Sequence, residues 1–310
     1  VLQLSVRYFS EAQIFESSTI TDNTFVASSF INDNEGWLAD NNGMLFHTSN
    51  SGQTWDSISI TKNFLKFDFV DAVYGFALAS EGAYKTTDGG NTWSSLSLPG
   101  YIGESLYFLD NNTGFISGNK MIFKTTDGGT TWTTIYTEDV SFFDYYFTTS
   151  SAGIAVAHDD EYYKCVWKTT DGGLSWENVY NEKNFFMNAV WFSNESMGWA
   201  AGYYDQGGLK YPAIVSTTDG GLTWKNIYLN WQIDNQGEDL TDIRFRNENE
   251  GYAISKYAYD VYTTDGGVTW NLSHNTDDLG LSSFYGTYKT LDGFHTLFLL
   301  GKNGNVAIWK

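Results

Sequence analysis

Short apolar segments separated by polar turns recur along the whole chain. In one such unit, apolar and polar residues alternate over 64–70, an apolar run covers 75–79, and two further short segments cover 83–87 and 92–98. Segments of this length, bounded by Gly, Asn and Asp, are typical of β-strands joined by tight turns. The pattern therefore predicts units of four antiparallel strands, which we label A to D in chain order.

One octapeptide occurs six times, each time between predicted strands C and D. In its clearest form it reads Thr-Thr-Asp-Gly-Gly-x-Thr-Trp. Its third residues are Asn50, Asp88, Asp127, Asp171, Asp219 and Asp265, which are separated by 38, 39, 44, 48 and 46 residues. A repeat of about 40–50 residues that is built from short strands indicates a β-propeller.

The octapeptide has a local structural explanation. Its Asp carboxylate can accept backbone N–H groups across the turn, and the Gly-Gly pair adopts backbone conformations that a side chain would disfavour. The Trp begins strand D and is expected to pack against neighbouring strands. We therefore interpret the six Asp and Asn positions as turn-stabilising residues without a catalytic role.

A second repeated element supports the same unit, because a Gly followed by an apolar residue opens each predicted strand B. The six pairs are Gly36-Trp37, Gly75-Phe76, Gly114-Phe115, Gly153-Ile154, Gly198-Trp199 and Gly251-Tyr252. Each pair begins a short apolar run that follows a polar turn, so strand B is expected to be buried.

The chain ends decide how the ring closes. The mean repeat of 43 residues divides the 310-residue chain into about seven units. After Trp270 the chain, which includes 297–301 and 305–310, is predicted to supply three strands of a seventh unit but no octapeptide and no final strand, and Val1–Arg7 reads as a lone strand. We therefore predict one domain over 1–310, an all-β, seven-bladed propeller of four-stranded antiparallel blades in which the N-terminal strand closes the last blade. A six-bladed ring with an appended hairpin is the alternative.

Composition narrows the classes of function. The chain has 37 acidic against 17 basic residues, a net charge of −20, which disfavours nucleic acid and anionic membranes as partners. A hydrophobic content of 42% excludes a disordered acidic chain. The single cysteine, Cys165, excludes an intramolecular disulfide, and the four His are scattered. We predict neither a metal nor a cofactor, although the acidic residues 159–161 leave calcium binding open.

The octapeptide resembles the Asp-box, also called the bacterial neuraminidase repeat. Together with the Gly–aromatic pairs, it makes nearly the whole chain most similar to the photosystem II stability/assembly factor-like propellers and their non-photosynthetic bacterial relatives. The resemblance implies the propeller fold and a role in holding a protein partner. Sialidases, xyloglucan-type endoglucanases and sortilin ectodomains also carry Asp-boxes, so the motif indicates an architecture more than an activity.

Each enzyme family requires particular catalytic or binding residues, and the sequence shows in part whether this chain has them. Sialidases use three Arg to hold the substrate carboxylate, and this chain has only Arg7, Arg244 and Arg246, with no Arg-Ile-Pro segment. A xyloglucan-type glycosidase needs two carboxylates that flank a cleft, and such enzymes generally use two propellers. The three Arg and the acidic charge also depart from the basic docking surface of the photosynthetic assembly factor.

The loops that join strand B to C and strand D to the next A share one end of a propeller, opposite the octapeptides. In units four to six these loops are long and rich in aromatic, acidic and amide side chains, which suit peptide or sugar recognition. The predicted binding residues are Tyr162, Tyr203, Tyr204, Asp205, Trp231, Asp234 and Tyr257.

These observations predict a non-catalytic binding or assembly module. We expect it to hold a protein partner in a bacterial envelope or secreted complex, in the periplasm, at the cell surface or in the medium. The alternative is a carbohydrate-active protein, either a lectin-like glycan binder or a glycoside hydrolase.

Overall fold

The computed structural model describes residues 5–9, 13–100, 103, 105–118, 120–136, 140–159, 164–227, 229, 239–255, 260–273, 297–300 and 305–309. Within these ranges the strands form four-stranded antiparallel sheets, as the alternating segments predict. No helix of membrane-spanning length and hydropathy occurs in the part of the chain that the structure describes.

Six blades are each built from four consecutive strands. Blade 1 contains Phe25–Phe30 (β3), Gly36–Asp40 (β4), Met44–Thr48 (β5) and Asp56–Ser59 (β6). Blade 2 contains Phe64–Phe69 (β7), Gly75–Ala79 (β8), Gly82–Thr86 (β9) and Ser94–Leu96 (β10). Blade 3 contains Ser105–Phe108 (β11), Gly114–Gly118 (β12), Met121–Thr125 (β13) and Thr133–Tyr136 (β14).

Of the remaining three blades, blades 4 and 5 have the longer strands. Blade 4 contains Val140–Phe147 (β15), Gly153–Asp159 (β16), Lys164–Thr169 (β17) and Glu177–Asn181 (β18). Blade 5 contains Phe185–Phe192 (β19), Gly198–Gln206 (β20), Leu209–Thr217 (β21) and Lys225–Ile227 (β22). Blade 6 contains Leu240–Phe245 (β23), Gly251–Ser255 (β24), Asp260–Thr263 (β25) and Asn271–Ser273 (β26).

The two chain ends form a further sheet, which we call the terminal sheet. Its strands are Ser5–Phe9 (β1), Gln13–Thr19 (β2), Leu297–Leu300 (β27) and Asn305–Trp309 (β28). Their order in the sheet is β1-β2-β28-β27. Strand β2 pairs with β28 from Phe15 opposite Trp309 to Thr19 opposite Asn305, while β1 pairs with β2.

The prediction of seven blades closed by a single N-terminal strand is therefore wrong. The structure shows six blades of consecutive strands and a terminal sheet that takes two strands from each chain end. The six-bladed alternative has the right count, but its additional element is a shared sheet instead of a hairpin. Strand β2 was missed because residues 13–19 carry neither an octapeptide nor a Gly–aromatic pair, and a β1–β2 hairpin satisfies one edge of the N-terminal strand locally.

A Phe at the end of each innermost strand lies directly opposite the Gly that begins the next strand. The pairs are Phe30–Gly36, Phe69–Gly75, Phe108–Gly114, Phe147–Gly153, Phe192–Gly198 and Phe245–Gly251. A Cβ atom on Gly36 would lie 2.0 Å from the Phe30 ring, and one on Gly114 would lie 2.2 Å from the Phe108 ring. The ring covers the bare backbone, so only Gly fits at the start of strand B.

The aromatic residue after this Gly packs across the interface between blades. Trp37 stacks on Phe69 of blade 2, with ring centroids 3.8 Å apart. Phe115 stacks in the same way on Phe147, and Trp199 stacks on Phe245 at 3.7 Å. The Gly–aromatic dipeptide thus serves two contacts, one inside its own blade and one with the next blade.

The octapeptide turns lie beside the turns that join strands A and B. In blade 3, Asp127 Oδ1 accepts hydrogen bonds from the Thr125 hydroxyl (2.9 Å) and the Thr131 N–H (2.8 Å), and Oδ2 accepts one from the Thr131 hydroxyl (2.6 Å). These bonds lower the pKa of Asp127 to about 2. Gly128 and Gly129 have φ values of 67° and 85°, in the left-handed region that favours glycine.

Candidate functional site

Three of the predicted binding residues, Tyr203, Tyr204 and Asp205, lie on β20 in a projecting hairpin of blade 5. The other four, Tyr162, Trp231, Asp234 and Tyr257, lie outside the described residues. The predicted insertion in unit five is a regular extension of the sheet.

The projecting hairpin comprises the outer ends of β20 and β21. These strands pair continuously from Gly198 opposite Thr217 to Gln206 opposite Leu209, whereas the equivalent hairpin of blade 2 turns at Ala79 opposite Gly82. Its turn is formed by 207–208, two glycines with φ values of 70° and 88°, as two-residue hairpin turns require. This turn geometry makes the projection an ordered surface.

Tyr203 and Tyr204 lie on opposite faces of β20, as neighbouring strand residues must. Tyr203 stacks on Phe186 of β19, with centroids 4.5 Å apart and an interplanar angle of 5°. Tyr204 instead contacts Phe185 at 5.1 Å and packs against the main hydrophobic core. Tyr203 is therefore the better ligand-binding candidate of the two, and Tyr204 is mainly a packing residue.

A cation lies over the Tyr203 ring. Lys210 Nζ is 4.0 Å from the ring centroid and 2.8 Å from Asp239 Oδ2. Loss of hydration raises the pKa of Tyr203, and the hydrogen bond from Lys210 to Asp239 helps to raise the pKa of Lys210 against its own loss of hydration. Lys210 is therefore a fixed positive charge at the edge of the aromatic surface.

The aromatic surface continues from blade 5 into blade 4. His158 meets Phe186 edge to face at 5.0 Å, and Phe143 meets His158 at 4.5 Å. We call Phe143, His158, Phe186 and Tyr203 the aromatic run. Sequence reasoning missed Phe143 and Phe186, although both lie in Phe-Phe pairs near the start of strand A in units four and five.

His158 is neutral in the middle of this run. Burial lowers its pKa to about 4, and its Nε2 has no hydrogen-bond partner among the described residues. This Nε2 is itself buried, and the ring has a hydrogen bond with the Met187 backbone, so His158 contributes packing to the run. The run thus combines three apolar rings with one polar ring.

The innermost strands of the six blades line a central channel, which contains a cavity of about 240 Å³. Side chains on these strands accept backbone N–H groups from the next blade. The acceptor and donor pairs are Ser29 Oγ with Phe69 (2.9 Å), Asp68 Oδ2 with Phe108 (2.7 Å), Tyr107 Oη with Phe147 (3.2 Å) and Asp144 Oδ2 with Val190 (3.0 Å). Polar groups in the channel therefore join adjacent blades.

The channel also holds buried charges in blades 4 and 6. Arg244 Nη1 lies 2.6 Å from Asp242 Oδ1, and the same Oδ1 accepts the Ile243 N–H at 2.8 Å. Burial raises the pKa of Asp242 to about 7; Arg244 opposes this shift and Asp144 adds to it. The close Arg244 contact favours the ionised form, but the loss of hydration outweighs it.

These carboxylates are engaged by the protein itself. Asp144 binds the Val190 N–H, and Asp242 binds Arg244 and the N–H of its own strand neighbour, so both carboxylates already have partners in the protein. Among the described residues, no group of three or more His, Cys, Asp or Glu side chains is placed to hold a metal ion. The polar contacts described in the channel thus join adjacent blades at Asp144 and lie within one strand at Asp242.

Comparison with solved structures identifies the fold. YCF48 bound to a D1 peptide aligns with a TM-score of 0.71 and 20% identity, covering 98% of this chain and 97% of that chain. YCF48 from Cyanidioschyzon merolae aligns with a TM-score of 0.70 and 15% identity, covering 95% and 98%. A GH74 xyloglucanase from Xanthomonas campestris aligns with a TM-score of 0.71 and 12% identity, and the match covers 95% of this chain but 53% of that enzyme.

No family model matches this chain, and no curated protein matches it. The structural likenesses, all at or below 20% identity, concern the fold. They agree with the blade geometry described above, and the chain is an all-β propeller with four-stranded antiparallel blades.

Proposed function

We propose that this propeller is a non-catalytic binding module that holds an extended segment of a partner protein on the aromatic run. The observation that carries the proposal is the continuous contact from Phe143 through His158 and Phe186 to Tyr203, which ends at Lys210. As a further part of the proposal, the complex belongs to a bacterial envelope or to secreted material.

The chemistry of the run suits a peptide. Phe143, Phe186 and Tyr203 are half-buried, so each residue keeps some surface that a partner can contact. Lys210 offers a positive charge to a carboxylate or backbone carbonyl. The structure of YCF48 with a D1 peptide is an example of a similarly folded protein with a bound peptide, which supports this choice.

Glycan binding is the second candidate, because half-exposed aromatic rings also stack on sugar faces. The resemblance in fold to GH74 enzymes is compatible with it. Hydrolysis has less support, because Asp144 and Asp242 already bind protein groups in the channel. A lectin-like role on the aromatic run is therefore the form of the carbohydrate alternative that we retain.

The test compares Tyr203→Ala with Tyr204→Ala, a matched change on the opposite face of the same strand. Each variant and the wild type would be used for affinity capture from the native envelope or culture extract and for a glycan array. We expect a stoichiometric protein partner whose retention falls about tenfold in Tyr203→Ala, the scale of one lost aromatic anchor. Tyr204→Ala should mainly lower the melting temperature.

Two results would decide against the proposal. If the partner bound Tyr203→Ala as well as the wild type, the aromatic run would not be the site. If a glycan bound and no protein partner did, with the glycan signal lost in Tyr203→Ala, the second candidate would replace the first.

A further inference from the structure

At the opposite end of the propeller, the sixth residue of the octapeptide differs between the two halves of the ring. In blades 4, 5 and 6 it is Leu174, Leu222 and Val268, with exposed fractions of 57%, 62% and 77%. We call these three side chains the apolar arc. In blades 1, 2 and 3 the same position is occupied by the polar residues Gln53, Asn91 and Thr130. The difference divides the ring into two contiguous halves.

Two of the three polar side chains bind their own turns, and the apolar side chains do not. Asn91 Nδ2 donates to the Asp88 carbonyl at 2.6 Å, and Thr130 Oγ1 donates to the Asp127 carbonyl at 3.0 Å. An aliphatic side chain has no such partner, so Leu174 remains in solvent. The turn itself is unchanged, because the Leu174 N–H still donates to Asp171 Oδ1 at 2.9 Å. The side chains of the apolar arc are therefore not needed to form the turn.

The turns that carry the arc are held in place by the preceding blades. Lys168 Nζ of blade 4 donates to the Gly220 carbonyl in the blade 5 turn at 2.8 Å. The Gly267 position in the blade 6 turn lies against Trp199 of blade 5, where an added Cβ would come within 2.4 Å of Nε1. Because each turn is packed on its neighbour, the arc is a preformed surface at one end of three adjacent blades.

Acidic side chains flank the arc, and Lys124 and Lys168 of the preceding blades reach the carbonyls of the same turns. Hydrogen bonds from the adjacent Ser175 and Thr223 lower the pKa values of Asp171 and Asp219 to about 2, so both are charged at neutral pH. Exposed Glu195 and Glu248 belong to the neighbouring A–B turns. The carbonyl of Glu195 lies against the blade 5 octapeptide turn and that of Glu248 against the blade 6 turn.

We propose that the apolar arc and its flanking carboxylates form a second docking surface, for a partner protein segment that alternates basic and aliphatic side chains. Aliphatic side chains of the segment would cover Leu174, Leu222 and Val268, and its Lys or Arg would meet the carboxylates between them. A second copy of this chain is a poor occupant, because it carries the same net charge of −20. This surface is at the opposite end from the aromatic run and is independent of it.

The test uses charge-neutral exchanges between the two halves of the ring. The variant Leu174→Asn, Leu222→Asn, Val268→Thr gives blades 4 to 6 the residue types of blades 2 and 3. The probe is a fluorescein-labelled 12-residue peptide of alternating Lys and Leu, titrated with the full chain at 150 mM NaCl and followed by anisotropy. We expect affinity to fall roughly tenfold or more, since three aliphatic contacts are lost while every charge is retained.

The reciprocal variant Gln53→Leu, Asn91→Leu, Thr130→Val should add a second peptide site on blades 1 to 3 and raise the stoichiometry. Peptide binding that falls in Tyr203→Ala and persists in the arc variant would place the peptide on the aromatic run and would also overturn the proposal. Equal affinity of the wild type and the arc variant would overturn the proposal. So would sedimentation showing a wild-type dimer that the arc variant abolishes, because the occupant would then be a second copy.

Discussion

Blades 1 to 3 and blades 4 to 6 share one framework but differ at both ends. Every blade keeps the same opposed Phe and Gly, and in every octapeptide turn Oδ1 of the third residue accepts the N–H of the seventh. In blades 1 to 3 the B–C hairpins are short, whereas β20 and β21 of blade 5 project well beyond them. The octapeptide tips are polar in the first half and apolar in the second.

This difference separates positions that maintain the ring from positions that are free to change. Buried contacts between blades recur in both halves, because each blade must pack on the next. The apolar side chains at the turn tips are mostly exposed, so these positions can vary with little effect on packing between blades. Both proposed surfaces, the aromatic run and the apolar arc, lie in blades 4 to 6, and we infer that this half of the ring contacts partners.

The largest effect is expected on the free energy of unfolding, in a pair of variants that test whether the two halves are equally well packed. Phe108→Ala in blade 3 and Phe245→Ala in blade 6 each remove a buried ring that covers a Gly and stacks on the preceding blade. Each should lower the free energy of unfolding by about 3–5 kcal/mol, measured by urea denaturation. A loss below about 1 kcal/mol in one variant alone would show that the framework differs between the halves.

The next largest expected effect is a dependence of stability on pH that arises from Asp242 in blade 6. Because the pKa of Asp242 is raised to about 7 in the folded protein, the folded state binds its proton more tightly than the unfolded chain does. The stabilisation is complete below the ordinary carboxyl pKa near 4 and is lost as the pH rises through about 7. The full change is at most about 4 kcal/mol.

Asp242→Asn tests this dependence, because the amide keeps an acceptor for Arg244 without a titrating proton. Urea denaturation between pH 4.5 and pH 8 should show stability that falls with pH in the wild type and a flatter profile in the variant. Asp144, whose pKa burial also raises, should leave a residual slope. An unchanged wild-type slope in Asp242→Asn would assign the pH dependence elsewhere.

Much of the framework could be predicted from the sequence because it rests on local rules. The octapeptide and the Gly–aromatic pair are short motifs whose spacing marks strands B, C and D of each blade. The Phe six residues before each Gly was not recognised, because its role depends on pairing across two strands. The terminal sheet was misjudged because β2, which carries neither motif, was not recognised as the strand that pairs with β28.

The site could be predicted only in part. Tyr203 was recognised as an aromatic residue in an insertion, but its stacking partner Phe186 is on another strand and His158 is on another blade. Tyr203 and Tyr204 were predicted together because they are adjacent in an aromatic-rich insertion. Neighbouring residues of a strand point to opposite faces, so the two side chains do not share a surface. The sequence shows that the sixth octapeptide residue is polar in blades 1 to 3 and apolar in blades 4 to 6. Only the structure shows that the apolar side chains are mostly exposed to solvent.

A smaller effect compares the octapeptide turns. Asp219 of blade 5 accepts bonds from the Thr217 hydroxyl (2.8 Å), the Thr223 N–H (2.9 Å) and the Thr223 hydroxyl (2.6 Å). In blade 1 the third octapeptide residue is Asn50, which accepts the Thr54 N–H at 2.9 Å and donates to its hydroxyl. Asp219→Ala should destabilise by about 1 kcal/mol, because water competes at this exposed turn.

The matched variant Asp219→Asn reproduces the blade 1 turn. Since hydrogen bonds from Thr223 lower the pKa of Asp219 to about 2, the carboxylate stabilises the fold fully above pH 4 and this contribution is lost as the pH falls towards 2. Thermal melting should show a smaller loss for Asn than for Ala at pH 7, and the same melting temperature for both would argue against a hydrogen-bonding role.

The smallest effect concerns the tips themselves. Asn91→Ala removes an exposed hydrogen bond of 2.6 Å to the Asp88 carbonyl, and we expect a loss within about 0.5 kcal/mol. Leu174→Ala, Leu222→Ala and Val268→Ala, combined in one chain, should also stay within about 0.5 kcal/mol, because these side chains are mostly in solvent. Urea denaturation of both variants beside the wild type measures this. If the triple variant lost more than about 2 kcal/mol, the arc would be part of the framework, and its exposure would no longer indicate a docking surface.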